Sequence, residues 1–334
     1  MPIGRPAQTE ATERALNDLN TRENLYGIFW ATEQADPNRM VEHALATNAF
    51  KASDDWHGNV RLAQYTNVAP TNSIASGVNL GDEIVLESYQ APASLNAAAR
   101  FVPIELNWRP LKTPPGSRYK VFAHLLDARG EVASQRDTEP NDGFFPTSQW
   151  TRDETITDRL AIPIPPGLPP GDYRVVVGLY RGDTGERLAA SDGADTIELG
   201  TVHVSKQILP RSAAMLTKAI NQPLGEIEWL GYKLDSAQAA SFEQGARIPL
   251  VLYFYARQKP TSDARLTVQL RDRSDNILAS AATLETYPSS QWDKDEIVRD
   301  LPSLQVPSDM PAGEYRLILT DGAQVFEVTK IQVR

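Results

Sequence analysis

The sequence predicts a mainly β protein, with two tandem antiparallel β-sandwiches preceded by a small α/β segment. Three observations predict it. One series of short motifs occurs twice, in the same order and at nearly constant offset. Each copy breaks into about seven short stretches of alternating apolar residues separated by Gly, Pro and Asp turns, the pattern of an Ig-like sandwich. Finally, 24 prolines outnumber 20 glycines over 334 residues, which suits short strands and fixed turns better than long helices.

Residues 1–66 read as an α/β segment with the look of the end of a Rossmann-like domain. Residues 12–20 have helical spacing, and NLYGIFWA from Asn24 reads as a buried strand. Asp36 before Pro37 is a capping signal, Met40, Val41, Ala44 and Leu45 recur at helical spacing, and Asn48 is a stop. Strand-like sequence follows from Phe50 to Tyr65, broken by a turn over residues 54–59. Residues 67–77 are small and polar, a linker. The first sandwich is expected over 78–205, a connector over 206–223 in which SAAMLTKAI suggests a short helix, and the second sandwich over 224–334.

The repeat is explicit. GDEIVLESY answers to GEIEWLGY, VPIELNW to IPLVLYF, KVFAHLLDARG to RLTVQLRDRSD, PTSQWTRDE to PSSQWDKDE, and LPPGDYRVVV to MPAGEYRLIL. Tyr173 and Tyr315 lie where a sandwich places a tyrosine corner. Period two puts Val102, Ile104, Leu106 and Trp108 on the core face, with Glu105, Asn107 and Arg109 opposite. In the second copy that opposite face becomes Val251, Tyr253 and Tyr255. One strand later the first copy carries Phe122, His124 and Leu126 where the second has Thr267, Gln269 and Arg271. Each sandwich therefore has an outer face too apolar for open water, covered by a neighbour or used for binding.

The formal charge of -10 argues against a nucleic-acid partner or an anionic membrane face. The absence of cysteine removes thiol chemistry, disulfides and Cys-based zinc sites, and suits an extracytoplasmic location. No apolar run is long enough to span a membrane, and the start lacks the build of a signal peptide. An upstream portion is therefore expected to deliver the chain.

The motifs divide between binding and packing. Trp150 and Trp292 in PTSQW and PSSQW are either exposed platforms for sugar rings or plugs at the sandwich ends, and their repetition with the fold favours plugs. Asp153, Glu154, Asp295 and Glu296 are weak calcium candidates without an EF-hand spacing. The same acids would have to flank a cleft to act as a glycosidase pair. The four histidines have no recognisable nucleophile partner, and GDTGERL reads as a hairpin turn. No cofactor is indicated.

WATEQADPNRMVEHALATNAFKASDDWHGNVRLAQY, VNLGDEIVLESY, YKVFAHLLDARGEVASQRDTEP, PTSQW and LPPGDYRVVVGLYRGDTGERL together resemble the C-terminal extracytoplasmic part of bacterial family-39-type membrane glycosyltransferases, relatives of dolichyl-phosphate-mannose protein mannosyltransferases. The resemblance is close from Asn24 to Leu188 and reaches the second sandwich only through the repeat. It implies association with an enzyme that takes sugar from a polyprenyl-phosphate carrier and whose catalytic acid lies in a membrane-embedded portion, so no catalytic residue carries over. The expected role is a non-catalytic accessory region, working beside that upstream membrane portion, that binds or positions a glycan or protein acceptor. The alternatives are a structural cell-surface or adhesion module and, with less support, a soluble glycan hydrolase.

Overall fold

The computed structural model describes Glu10, Arg14 and residues 22–95, 98–234 and 241–334. The helical spacing at 12–20 lies outside the described residues. The chain divides into two units, Met1–Ile164 with Asp172–Val204, and Pro165–Gly171 with Ser205–Arg334.

The first unit holds strands β1 (Asn24–Trp30), β2 (Phe50–His57), β3 (Val60–Thr66), β4 (Ser73–Leu80), β5 (Ile84–Gln90), β6 (Phe101–Pro110), β7 (Tyr119–Leu126), β8 (Val132–Thr138), β9 (Ile156–Pro163), β10 (Gly171–Arg181) and β11 (Ile197–Val204). One sheet has seven strands in the order β1-β3-β2-β9-β6-β5-β4, and the other has four, β11-β10-β7-β8. The core face assigned to β6 is the buried one, with Val102, Ile104, Leu106 and Trp108 fully enclosed. Each such side chain contributes about 1.5–3 kcal/mol by leaving water.

The N-terminal segment departs from the Rossmann-like expectation. Its strands β1, β3 and β2 pair antiparallel, whereas a doubly wound sheet is parallel. The segment also belongs to the first unit, because β2 lies parallel to β9 through Lys51 opposite Leu160 and so extends the sandwich sheet. NLYGIFW is a half-exposed edge strand instead of a buried one: Leu25 points inward while Tyr26 and Ile28 are 60% and 74% exposed. A helix spans Met40–Asn48, ending at the expected stop. Asp36 caps it from a distance, its two carboxylate oxygens accepting the Met40 and Val41 N–H groups at 2.8 and 2.9 Å, so Pro37 lies in the turn ahead of the helix. The turn after β2 shrinks to Gly58 and Asn59. The linker is shorter than expected, since β4 starts at Ser73.

The second unit contains β12 (Lys218–Leu224), β13 (Ile227–Leu234), β14 (Ser241–Phe242), β15 (Leu250–Ala256), β16 (Thr267–Arg271), β17 (Ile277–Ala282), β18 (Ile297–Asp300), β19 (Gly313–Thr320) and β20 (Val325–Val333). Its sheets run β12-β13-β15-β18 and β14-β20-β19-β16-β17. Apart from β14 these orders repeat β4-β5-β6-β9 and β11-β10-β7-β8 strand for strand. The duplication extends to irregularities, with a bulge between Leu86 and Ser88 against β6 and one between Trp229 and Gly231 against β15. Residues 206–223 form no α-helix: a 3-10 turn covers Arg211–Ala213, and β12 takes up the end of the connector because it pairs with β13.

Candidate functional site

The PTSQW and PSSQW motifs are structural staples in both copies. Trp150 and Trp292 are 1% and 0% exposed, which leaves no ring face for a sugar. Thr147 Oγ1 accepts the Tyr119 N–H at 2.9 Å and donates to the Ser117 carbonyl at 3.1 Å. Ser289 Oγ does the same with the Ala264 N–H at 2.8 Å and the Ser262 carbonyl at 3.1 Å. The motif thus ties a 3-10 turn to the chain leading into β7 in the first copy and into β16 in the second. The predicted tyrosine corner appears at Tyr315, whose hydroxyl donates to the Pro311 carbonyl at 2.7 Å.

The calcium candidates are occupied by other partners. Asp153 faces Arg109 at 3.6 Å and Arg152 at 3.4 Å, and Glu154 accepts the Thr151 hydroxyl at 2.8 Å. Asp295 accepts the Tyr255 hydroxyl at 2.5 Å. Glu296 is buried, accepting the Tyr287 hydroxyl at 3.0 Å and the Asp293 N–H at 2.7 Å. Among the described residues no three acidic or histidine side chains gather as metal ligands do.

The outer face of β13, β15 and β18 is where the copies diverge most. In the first copy the corresponding face is a polar ladder: Arg109 donates to Glu87 at 2.6 Å, Arg159 to Glu105 at 2.9 Å, and Thr157 to Asn107 at 2.8 Å. In the second copy Leu230, Tyr253 and Ile297 are buried there, with Val251 and Tyr255 half-buried around them. Connector residues Leu209, Ala213, Ala214 and Leu216 pack over this patch as a strap. Acids rim it and hold the strap's cations. Lys206 donates to Asp293 at 2.8 Å and lies 3.3 Å from Glu296, and Arg211 pairs with Glu228 while stacking 4.9 Å over the Tyr255 ring. Burial opposes the Lys206 charge, but its bond to Asp293 and the nearby Glu296 hold its pKa above the usual lysine range. The Tyr253 hydroxyl is pushed up by burial and meets the Met215 N–H.

The expected patch of the first copy is also covered. Phe122 is buried, its ring lying on Gly178 with the Arg187 guanidinium 4.3 Å over it. The GDTGERL turn brings Arg187 there, since Tyr180 bridges Arg187 across the expected hairpin. His124 is 8% exposed, 5.0 Å from the Phe122 ring, with Nε2 3.4 Å from Asp137. Leu126 is half-buried at the end of the strand.

Sequence reading missed two groups. The first is the strap, although three basic residues and no acidic one over 205–219 were a visible signal in so acidic a chain. The second is a buried charge cluster in the first unit. Lys51, 3% exposed at its side chain, donates to Asp54 at 2.8 Å and Asp142 at 2.5 Å. Arg136 also reaches Asp142, at 3.2 Å. Beside them Asp158, fully buried, accepts the Asn141 N–H at 2.8 Å, and the Trp108 indole N–H lies near it without closing a hydrogen bond. Burial pushes the Asp158 carboxyl up to about 6, the Asn141 N–H opposing. A cleft of about 120 Å³ beside Glu23, Thr66, Arg100 and Phe101 has room for a few waters, well below the few hundred Å³ of a ligand pocket.

No protein-family model and no curated protein matches the sequence. Among solved structures, a Salmonella alpha-2-macroglobulin variant is similar at 10% identity and TM-score 0.21, over 93% of this chain and 23% of that one. A putative membrane anchored protein from Corynebacterium diphtheriae is similar at 9% identity and TM-score 0.21, over 84% of this chain and 74% of that one. The E. coli chaperone DraB is similar at 10% identity and TM-score 0.18, over 72% and 94%. At such scores these likenesses carry no argument about function. Among the described residues no helix is long and apolar enough to cross a membrane.

Proposed function

We propose that this chain is a non-catalytic accessory region of a polyprenyl-phosphate-sugar-dependent membrane glycosyltransferase, working outside the cytoplasm and positioning a protein acceptor. The observation that carries the binding role is the exchange of one outer sheet face between the copies, from the polar ladder around Arg109 and Glu105 to the acid-rimmed apolar patch around Tyr253. Neutral drift after duplication would keep a face wettable, whereas a contiguous apolar patch inside an acidic rim suits an extended polypeptide better than a sugar, which needs an exposed aromatic face. The glycosyltransferase association rests on the sequence resemblance. Against a hydrolase stands the engagement of each candidate acid in a hydrogen bond or ion pair.

The test is a paired array of bacterial surface glycans and extended peptides, probed with the labelled chain. Peptide binding is expected; silence on both arrays, from the wild type and from a Leu209→Ser/Leu216→Ser variant alike, would remove the accessory reading. A second reading, a structural cell-surface module, draws on one observation, that the strap already covers the patch. It predicts silence on both arrays.

A further inference from the structure

The geometry points to the outer face of β13, β15 and β18 as a peptide groove that residues 205–217 occupy in cis, and to a partner that is an extended, acid-free segment carrying cations among apolar and small residues. This deepens the acceptor-positioning reading and rests on it. The occupant is specified by charge complementarity. Residues 205–219 carry Lys206, Arg211 and Lys218 and no acid, while the groove rim presents Glu228, Asp293 and Glu296 to the first two of those cations. Between the cations, Leu209, Ala213, Ala214 and Leu216 meet Leu230, Tyr253 and Ile297.

The strap is held as a ligand is held. Up to Met215 it is irregular apart from the 3-10 turn at Arg211–Ala213, whose backbone bonds run within itself, Ala213 to Pro210 and Ala214 to Arg211. It joins the sheet at Thr217, whose N–H bonds the Tyr232 carbonyl at 2.9 Å. Its outward side chains Ile208 and Met215 are 56% and 50% exposed, so it commits one face to the groove and leaves the other to solvent. A segment held by side chains over an apolar face opens more cheaply than a paired strand. A peptide of the same chemistry then competes by mass action against a tethered copy, which lowers its apparent affinity in the resting protein.

The experiment uses the full chain and a fluorescein-labelled synthetic peptide of residues 205–217, SKQILPRSAAMLT, followed by anisotropy. The variant Leu209→Ser/Leu216→Ser loosens the strap without touching a groove residue. It is expected to bind the peptide at least tenfold more tightly than the wild type, with affinity falling at high salt. A control peptide with glutamates in place of its lysine and arginine is expected not to bind. A variant that unfolds cooperatively near the wild-type temperature yet binds no peptide would overturn the groove. Should the variant not fold, hydrogen exchange of the wild type decides: excess strap peptide that speeds exchange of the Thr217 amide, bonded to the Tyr232 carbonyl, supports the groove, and a Thr217 amide unmoved by the peptide overturns it. Acceptor peptides from the array that bind but are not displaced by the strap peptide would sink the groove while leaving the acceptor reading standing.

Discussion

Trp150 and Trp292 occupy the same socket in their two sandwiches, each donating its indole N–H to the carbonyl five residues back, Phe145 at 2.9 Å and Tyr287 at 3.1 Å. The equivalence makes them energetic counterparts. Trp150→Ala or Trp292→Ala is expected to cost about 3–5 kcal/mol through the cavity left behind. Denaturant unfolding checks it. A loss below about 1 kcal/mol would mean that the socket collapses around the smaller residue.

Gly231 shows how closely two strands approach at the repeated bulge. Its φ is +144°, and a Cβ there would stand 2.1 Å from the Lys218 carbonyl oxygen. Both the conformation and the contact exclude a side chain, so Gly231→Ala must push β12 off β13. The expected cost is about 2–4 kcal/mol, of which about 1–3 is backbone strain, with β12 amides losing hydrogen-exchange protection. Unchanged protection of Lys218 and Ala219 would show that β12 stays paired with β13 and that the position tolerates a side chain.

The sandwiches were legible because a duplicated sequence reports its own structure: matched positions such as Leu106 and Leu252 read as core whatever the loops do. The exchange at Val251, Tyr253 and Tyr255 was legible as a break in period-two polarity. What covers that face was not, because Leu209, Ala213 and Leu216 fall at the i, i+4, i+7 spacing of a helix while the segment is irregular apart from a 3-10 turn. The placement of the first segment was hidden for a different reason. It hangs on the parallel pairing of Lys51 with Leu160, far apart in sequence, and on a loop from Thr138 to Pro146 that is three residues longer than its counterpart from Thr283 to Pro288. That insertion holds Asn141 and Asp142, both at positive φ. They serve the buried cluster, Asn141 through its N–H to Asp158 and Asp142 through Lys51 and Arg136.

Lys51 and Asp142 therefore fasten the first segment to the sandwich. Asp142→Asn keeps a residue that tolerates the left-handed backbone but removes the charge facing Lys51, leaving Asp54 as its remaining carboxylate. A loss of about 3 kcal/mol is expected, the lower end for breaking a buried pair. In a Lys51→Met background the same substitution is expected to cost much less. A double-mutant cycle without coupling would remove the pair as the fastening.

Asp158 gives the pH dependence its sign. In the fold its carboxyl keeps the proton up to about 6, because burial disfavours the charge, while in the unfolded chain it releases the proton near 4. Between those values the folded state binds more protons, so this group's contribution to stability is present below about 4 and is lost as pH rises through about 6. Two pH units correspond to about 3 kcal/mol. Carboxylates such as Asp293, held below their usual range by Lys206, act in the opposite direction at lower pH, so the comparison must be made by difference. Asp158→Asn retains an oxygen for the Asn141 N–H and removes the titration. The stability of the variant relative to wild type is expected to rise from pH 4 to pH 6 by up to about 3 kcal/mol and then level off. A difference that stays flat across that range would place the Asp158 carboxyl at an ordinary pKa and remove burial as the force acting on it.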